Sequence, residues 1–331
     1  MLSNHTSDPI ESQLREEALY KPYQSLNAYL KKKYGEKIYK IALDGGFTCP
    51  NRDGTCGTRG CIFCSAGGSG EFATAIRQNS SIDAQITQAL ARFGNKQTGQ
   101  RFIAYFQAYT GTYAAPERLY ALYHMALSHP KIIGISIATR PDCLPAPVLD
   151  VIKQCQMEFP DKFVWIELGL QSVHEKTALY IRRGYPLSCF EGALETLQTM
   201  SVPVIVHVIL GLPGETRADM LATIDYLSHK NIFGIKLQLL HVLRGTDLAA
   251  EYERGVFSCL SKEAYIDLLC SCIDHLNPAI VLHRVTGDGP KDLLIAPIWS
   301  LQKRDVLNSL HKALKAGGHY QGKDFGNHRP L

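Results

Sequence analysis

Four of the ten cysteines fall between positions 49 and 64. They read Cys49-x11-Cys61-x2-Cys64, with Cys56 lying between. Thiols crowded in this way point to metal or cluster ligation, because thiolate is the soft ligand that zinc and iron–sulfur centres take. A C-x2-C pair lets near neighbours reach two corners of one centre. Glycines at 54, 57, 60, 67, 68 and 70 let the backbone fold tightly around it. Two arrangements follow. All four cysteines could close a site, as structural zinc or as an electron-transfer cluster. Alternatively Cys49, Cys61 and Cys64 hold a four-iron cluster and leave one iron open, as an incomplete ligand set leaves a catalytic metal able to bind substrate. Cys56 is then a bystander thiol. Cys143, Cys155, Cys189 and Cys259 read as small buried hydrophobes, and Cys270 and Cys272, two apart on an expected helix, face different ways.

The elements that must position this loop follow an alternating rhythm. Short β-rich runs at 38–42, 101–106, 132–138, 163–168, 204–209 and 234–239 are separated by amphipathic stretches. Those stretches predict helices over 82–93, 116–128, 146–156, 174–182 with 189–200, and 217–229, with Pro116 and Pro147 suited to helix starts. Repeated βα units imply a parallel sheet, and six of them leave an eight-unit barrel incomplete. The open side would admit a large substrate. Chemistry in such folds gathers at the strand ends, and the cysteine loop directly follows the first expected strand. After Arg244 the rhythm changes to a helix at 262–276, a strand at 280–284 and a helix at 301–315, which suggests an α+β cap.

The 331 residues are 45% hydrophobic and 20% charged, as in ordinary globular proteins, and too apolar for a disordered chain. The polar opening at 1–21 has no apolar core that could act as a signal peptide, and the most apolar run, 202–212, is interrupted by His207 and far too short to span a bilayer. A cytoplasmic protein with no membrane association is expected, so disulfides are not. The net charge of +4 permits an anionic partner without demanding one.

Several motifs carry a resemblance. They are Gly46-Phe-Thr-Cys-Pro-Asn-Arg-Asp-Gly54, Gly60-Cys-Ile-Phe-Cys64, Arg140-Pro-Asp142, Glu167-Leu-Gly-Leu-Gln-Ser172, Gly211-Leu-Pro-Gly-Glu215, His283-Arg-Val-Thr-Gly-Asp288 and Ala296-Pro-Ile-Trp299. On these the chain resembles the YhcC/YtqA type of radical S-adenosylmethionine (radical SAM) proteins, themselves similar to the radical SAM portion of the Elongator catalytic subunit. The resemblance implies an α/β fold, a partial (β/α)6 TIM-like barrel with a C-terminal α+β extension. It divides the chain into an N-terminal polar and basic helical segment (1–35), a radical SAM core (36–244) and a C-terminal extension (245–331).

It also implies an enzyme with a [4Fe–4S] cluster on Cys49, Cys61 and Cys64 whose open iron is chelated by S-adenosylmethionine, with a reductant such as flavodoxin or ferredoxin. Gln107-Ala-Tyr-Thr-Gly-Thr112 takes the place of the turn that meets the methionyl amine, with Tyr109 and Thr110 as contacts. Gln171 and Arg183 correspond to residues that touch the ribose and the methionyl carboxylate in coproporphyrinogen-type relatives. His207 stands where those relatives have a ribose-binding carboxylate. The Gly211–Gly214 turn is expected near adenine. Each has a plainer reading: Arg183 as a helix-end cation, Glu167 and His207 as satisfied core polar groups. No second cluster motif is visible, which argues against methylthiotransferases.

The run Tyr20-Lys-Pro-Tyr23 and Tyr29-Leu-Lys-Lys-Lys-Tyr34 interleaves basic and aromatic groups, as nucleic-acid surfaces do, or forms an amphipathic helix with a solvated lysine face. The likeness to Elongator implies tRNA as substrate, with chemistry on the C5 side chain of wobble uridine, such as removal of carboxymethyl from carboxymethylaminomethyl-uridine. The alternatives are a small-molecule or protein substrate, and a non-catalytic iron–sulfur or zinc protein. Catalytic residues and oligomeric state are left open by the sequence.

Overall fold

A computed structural model describes residues 22–68, 70, 81–93 and 99–326. The opening at 1–21, with Tyr20 and Lys21 of the aromatic run, lies outside the described residues.

Six strands alternate with helices from β1 to β6: β1 (Tyr39–Leu43), β2 (Phe102–Phe106), β3 (Ile132–Thr139), β4 (Phe163–Gln171), β5 (Val204–Leu210) and β6 (Gly234–Leu239). Helix α1 (Leu26–Tyr34) precedes them, and the crossovers are α2 (Ile82–Phe93), α3 (Pro116–Ser128), α4 (Ala146–Glu158), α5 (Glu175–Tyr180) with α6 (Leu187–Thr199), and α7 (Arg217–Ser228). All six expected strands and their helices are present within a few residues. Past β6 come β7 (Val242–Leu243), α8 (Asp247–Glu253), α9 (Lys262–His275), β8 (Val281–Arg284), β9 (Leu294–Ala296) and α10 (Lys303–Gly317).

The architecture is α/β, and its sheet is a curled, all-parallel half-barrel in the order β1-β2-β3-β4-β5-β6-β8. The sheet therefore has seven strands, one more than the six βα repeats. The strand expected at 280–284 is β8, and it pairs with β6 rather than standing in a separate cap. The signal for this is faint, because only Val281 and Leu282 of β8 are fully buried. Missed altogether were α8 and the small antiparallel β7–β9 pair.

Period-two alternation divides the strands into two faces. Ile135, Ile137, Ile166, Leu168, Val204, Val206 and Val208 point outward into the main core under the helices. The inward residues stack in layers, as in other closed or partly closed barrels. The lowest layer is apolar: Ile103, Ile133, Trp165 and Ile205 meet Leu30 of α1. Helix α1 thus plugs the N-terminal end of the strands. Ser25 caps it, accepting from Ala28 N, and Gly35 ends it in the left-handed region at φ 76°. Its entry is pinned to the far edge of the sheet by Leu282 N donating to Gln24 O.

The aromatics of this segment face inward. Tyr29 packs edge-on against Phe233, Tyr23 is buried with its hydroxyl 3.3 Å from His311 Nε2, and Tyr34 lies under the Arg101 guanidinium. Lys31, Lys32 and Lys33 are exposed. The described part of this run contains a helix whose lysine face is solvated. Among the described residues, no helix is long and apolar enough to cross a membrane.

Candidate active site

The cysteine loop descends from the C-terminal end of β1 and is fastened from two sides. Asn51, itself buried, donates through Nδ2 to Arg182 O at 2.7 Å and Arg183 O at 3.2 Å, and lies 3.5 Å from Cys61 Sγ. Arg52 donates through Nη2 to Cys64 O at 2.8 Å and Ser65 O at 2.5 Å. The loop is thereby tied to the chain that follows β4 and closed on itself. Gly184 makes the first tie possible: its φ is +84°, and a Cβ there would lie 2.6 Å from Asn51 Oδ1.

A cavity of about 240 Å³ opens above the barrel at the strand ends. Cys49, Cys61 and Cys64 all line it, and so do Tyr109, Thr110, Gln171, Arg183 and His207. These eight residues, each singled out in the sequence, are therefore brought to one place. Cys56 is not: it is exposed and lines a different depression with Pro50, Tyr113 and Pro145. The Gly211–Gly214 turn lies outside the cavity lining, and its Leu212 packs into a small core with Ile62. Cys143, Cys155, Cys270 and Cys272 are buried. Burial, with Cys64 next to it, pushes the Cys61 thiol up to about 12.

Two lining residues occupy left-handed backbone, which for side chains other than glycine marks a constrained position. Tyr109 has φ 56° and Gln171 φ 63°. At Tyr109 the turn is held by its own N–H donating to Gly68 O at 2.9 Å and its hydroxyl donating to Ala66 O at 2.5 Å. At Gln171 a register shift in the β4–β5 pairing swings the side chain onto the cavity face. Arg183 is the largest fully buried side chain. Its Nε donates to Tyr185 O, and its Nη1 to Leu170 O and Ser172 O. Nη2 is buried without a hydrogen-bond partner, 3.6 Å from Glu175. The guanidinium is thus spent mainly on backbone carbonyls, with one nitrogen in reserve. It and Arg140 flank the Tyr185 ring at 5.0 and 4.9 Å.

The floor of the cavity is a polar layer that the sequence reading touched only at Glu167 and His207. Glu167, fully buried, accepts from Lys40 Nζ at 2.5 Å, Ser136 Oγ at 2.5 Å and Lys236 Nζ, and lies 2.7 Å from His207 Nε2. Lys236 also donates to Tyr105 Oη at 3.0 Å. Burial alone would raise the Glu167 carboxyl, but Lys236, Lys40 and His207 hold it well below the usual range. Burial and neighbouring cations pull Lys236 down to about 7 and His207 to about 4, so His207 is neutral. Glu167 and His207 are thus satisfied polar groups, and they also line the cavity. Lys40 and Lys236 carry a signal that could have found them: each is a lysine inside an apolar strand, on the inward parity.

A family model for the Radical SAM superfamily matches residues 54–227, and one for the Radical_SAM C-terminal domain matches residues 232–316. The chain belongs to the radical SAM superfamily. It is 42% identical over 305 residues to the uncharacterized protein YtqA of Bacillus subtilis, covering 92% of this chain and 93% of that one. It is 36% identical over 297 residues to protein YhcC of Escherichia coli K12, covering 90% and 93%. Elongator complex protein 3 of Danio rerio matches 172 residues at 27% identity, 50% of this chain and 30% of that protein. The solved archaeal Elp3 of Methanocaldococcus infernus superposes with a TM-score of 0.64 at 13% identity, covering 86% of this chain and 64% of that one, and so shares the fold. Radical SAM enzymes bind a [4Fe–4S] cluster and S-adenosylmethionine, and the chain is an enzyme of this superfamily.

Proposed function

We propose that this radical SAM enzyme holds its [4Fe–4S] cluster on Cys49, Cys61 and Cys64 and acts on the C5 side chain of wobble uridine in tRNA. The observation that carries the first part is one cavity lined by three thiols on one side and by Tyr109, Thr110, Gln171, Arg183 and His207 on the others. The donor set suits the group: three soft sulfur ligands on a loop fastened by Asn51 and Arg52, with Cys56 turned elsewhere. When bound, cluster and S-adenosylmethionine supply a 5′-deoxyadenosyl radical that abstracts a substrate hydrogen.

The chain's own residues bind and orient. Arg183 Nη2, without a hydrogen-bond partner and only 3.6 Å from Glu175, is a buried donor fit for the methionyl carboxylate, and its other nitrogens fix the guanidinium so that little freedom is lost on binding. Gln171, on the cavity face, can donate and accept toward ribose hydroxyls. His207, neutral and 2.7 Å from Glu167, presents an imidazole rather than a charge to the cavity. The plugged base of the barrel leaves the strand ends for substrate entry.

The tRNA part is supported by the kinship with Elongator complex protein 3 over half the chain. Two measurements test the reading. Anaerobic reconstitution with S-adenosylmethionine and dithionite yields 5′-deoxyadenosine, and its absence removes the enzyme assignment of these residues. Nucleosides from cells with and without the gene differ in C5-substituted uridine; an unchanged profile, together with no tRNA binding at low salt, where phosphate contacts are strongest, points to a small-molecule or protein substrate instead.

A further inference from the structure

Beside the cofactor cavity lies a second one of about 430 Å³, on the side where β1 and β8 leave the sheet unclosed. Its walls come from β1 (Lys40), β2 (Tyr105), β6 (Lys236), β8 (His283, Arg284), the turn after β9 (Ser300) and the first residue of α10 (Lys303). The two cavities are continuous in their lining: Tyr105, Gln107, Lys236, Arg284 and Asp288 face both. A substrate group held in the second would therefore adjoin the first across these shared residues.

The charge of this cavity is unbalanced. Lys40, Lys236, Arg284 and Lys303 line it, and Asp288 is its only acidic lining residue among those described. Asp288 is already shared, 2.6 Å from Lys303 and 3.5 Å from Arg284, and Glu167 behind the wall serves both Lys40 and Lys236. Four basic side chains, with Lys236 pulled down to about 7, thus face two carboxylates. A second observation is independent of charge. His283 lines the cavity, and both of its ring nitrogens are buried without a hydrogen-bond partner. Each such unpaired group costs stability, and native proteins keep few of them without a use. A neutral imidazole has one N–H to donate, and an oxyanion seated among Lys40, Lys236 and Arg284 would accept it.

We infer that the second cavity is a substrate subsite for an oxyanion, occupied by a carboxylate on the side chain of the target nucleotide. That an oxyanion binds there stands on the cavity; that it is the C5 side chain rests on the tRNA reading above. A backbone phosphate shares the chemistry and is separated by experiment.

Cluster-loaded protein with S-adenosylmethionine and no reductant is titrated with anticodon stem-loops whose wobble uridine carries carboxymethylaminomethyl, the corresponding neutral amide, or no substituent. The inference expects the carboxylate to bind at least tenfold tighter than the amide, the preference to fall towards one in Arg284→Gln, and part of it to return in Arg284→Lys. Equal affinity of wild type for carboxylate and amide overturns it. Equal weakening of all three stem-loops in Arg284→Gln, with a shallower salt dependence, assigns the cavity to backbone phosphate and overturns the carboxylate. The site is also read without RNA, by the 15N resonances of His283 during titration with acetate and with inorganic phosphate. Displacement by acetate in a protein that binds no stem-loop supports the oxyanion subsite and removes the tRNA reading alone. No displacement by either anion overturns the subsite whatever the RNA does.

Discussion

Replacing Glu167 by Gln keeps the volume of the side chain, removes its charge and turns one acceptor oxygen into a donor. The buried carboxylate holds Lys40 and Lys236 by ion pairs and also accepts from Ser136. Breaking a buried pair by removing one partner costs about 3–5 kcal/mol, because the remaining charge stays out of water. For 331 residues, an unfolding entropy of about 2.1 cal/mol/K per residue gives about 0.7 kcal/mol/K, so Tm should fall by about 4–7 °C at pH 7. The sign of the pH dependence is fixed by the lysines. Lys236 is pulled from 10.5 to about 7 in the folded protein, so between those values the unfolded chain binds more protons and stability rises with pH. Glu167 raises both lysines; without it they fall further and the folded protein sheds their charge more readily. The deficit of the variant should therefore be largest below pH 7 and shrink towards pH 9. Thermal unfolding of wild type and Glu167→Gln at pH 6, 7, 8 and 9 measures this. A variant within about 1 kcal/mol of wild type at pH 7, or a deficit independent of pH, would refute the buried-charge reasoning. In the wild type, the stability contributed by the depressed carboxyl is present above its ordinary value of 4.5 and lost as pH falls through the folded value.

Other outcomes follow from the same geometry. Cys56→Ser should retain full iron content and 5′-deoxyadenosine formation, whereas Cys61→Ser should lose the cluster, both checked by iron analysis and absorbance; a loss with Cys56→Ser would restore the four-cysteine site. Gly184→Ala should lower cluster occupancy several-fold, because its Cβ would collide with Asn51 at a φ of +84° and unfasten the loop. Leu30→Ala, deleting the plug of the barrel base, should cost about 2–5 kcal/mol in chemical denaturation while leaving the affinity for S-adenosylmethionine within twofold.

The repeating βα units were readable in advance, and so were the later helices and strand at 262–276, 280–284 and 301–315, but the pairing of that strand, helix α8 and the β7–β9 pair were not. Strands β1 to β6 announce themselves through apolar runs spaced by amphipathic helices, and the thiols through their spacing. Strand β8 is short and half-buried, and its parallel partner β6 is distant enough in sequence that no local pattern links them. The polar floor was half seen. Glu167 and His207 stood out as polar residues on apolar strands, and Lys40 and Lys236 could have done so, but Tyr105 and Ser136 only acquire meaning once six strands bring the floor together. Arg183 illustrates the opposite gap. Its type suggested a carboxylate fork, and the structure shows two of its three nitrogens bound to backbone carbonyls, which no spacing rule reveals.

The two walls of the reaction chamber descend from different stretches of chain. The thiol loop, the left-handed turns at Tyr109 and Gln171, and Arg183 all precede residue 190, whereas Lys236, Arg284, Asp288 and Lys303 of the second cavity follow residue 230, with Lys40, Tyr105 and Gln107 reaching that cavity from the earlier half. Selection can therefore rewrite what is recognised without disturbing how hydrogen is removed. Grafting the later half onto a sister enzyme should transplant its choice of target while the ignition machinery stays in place.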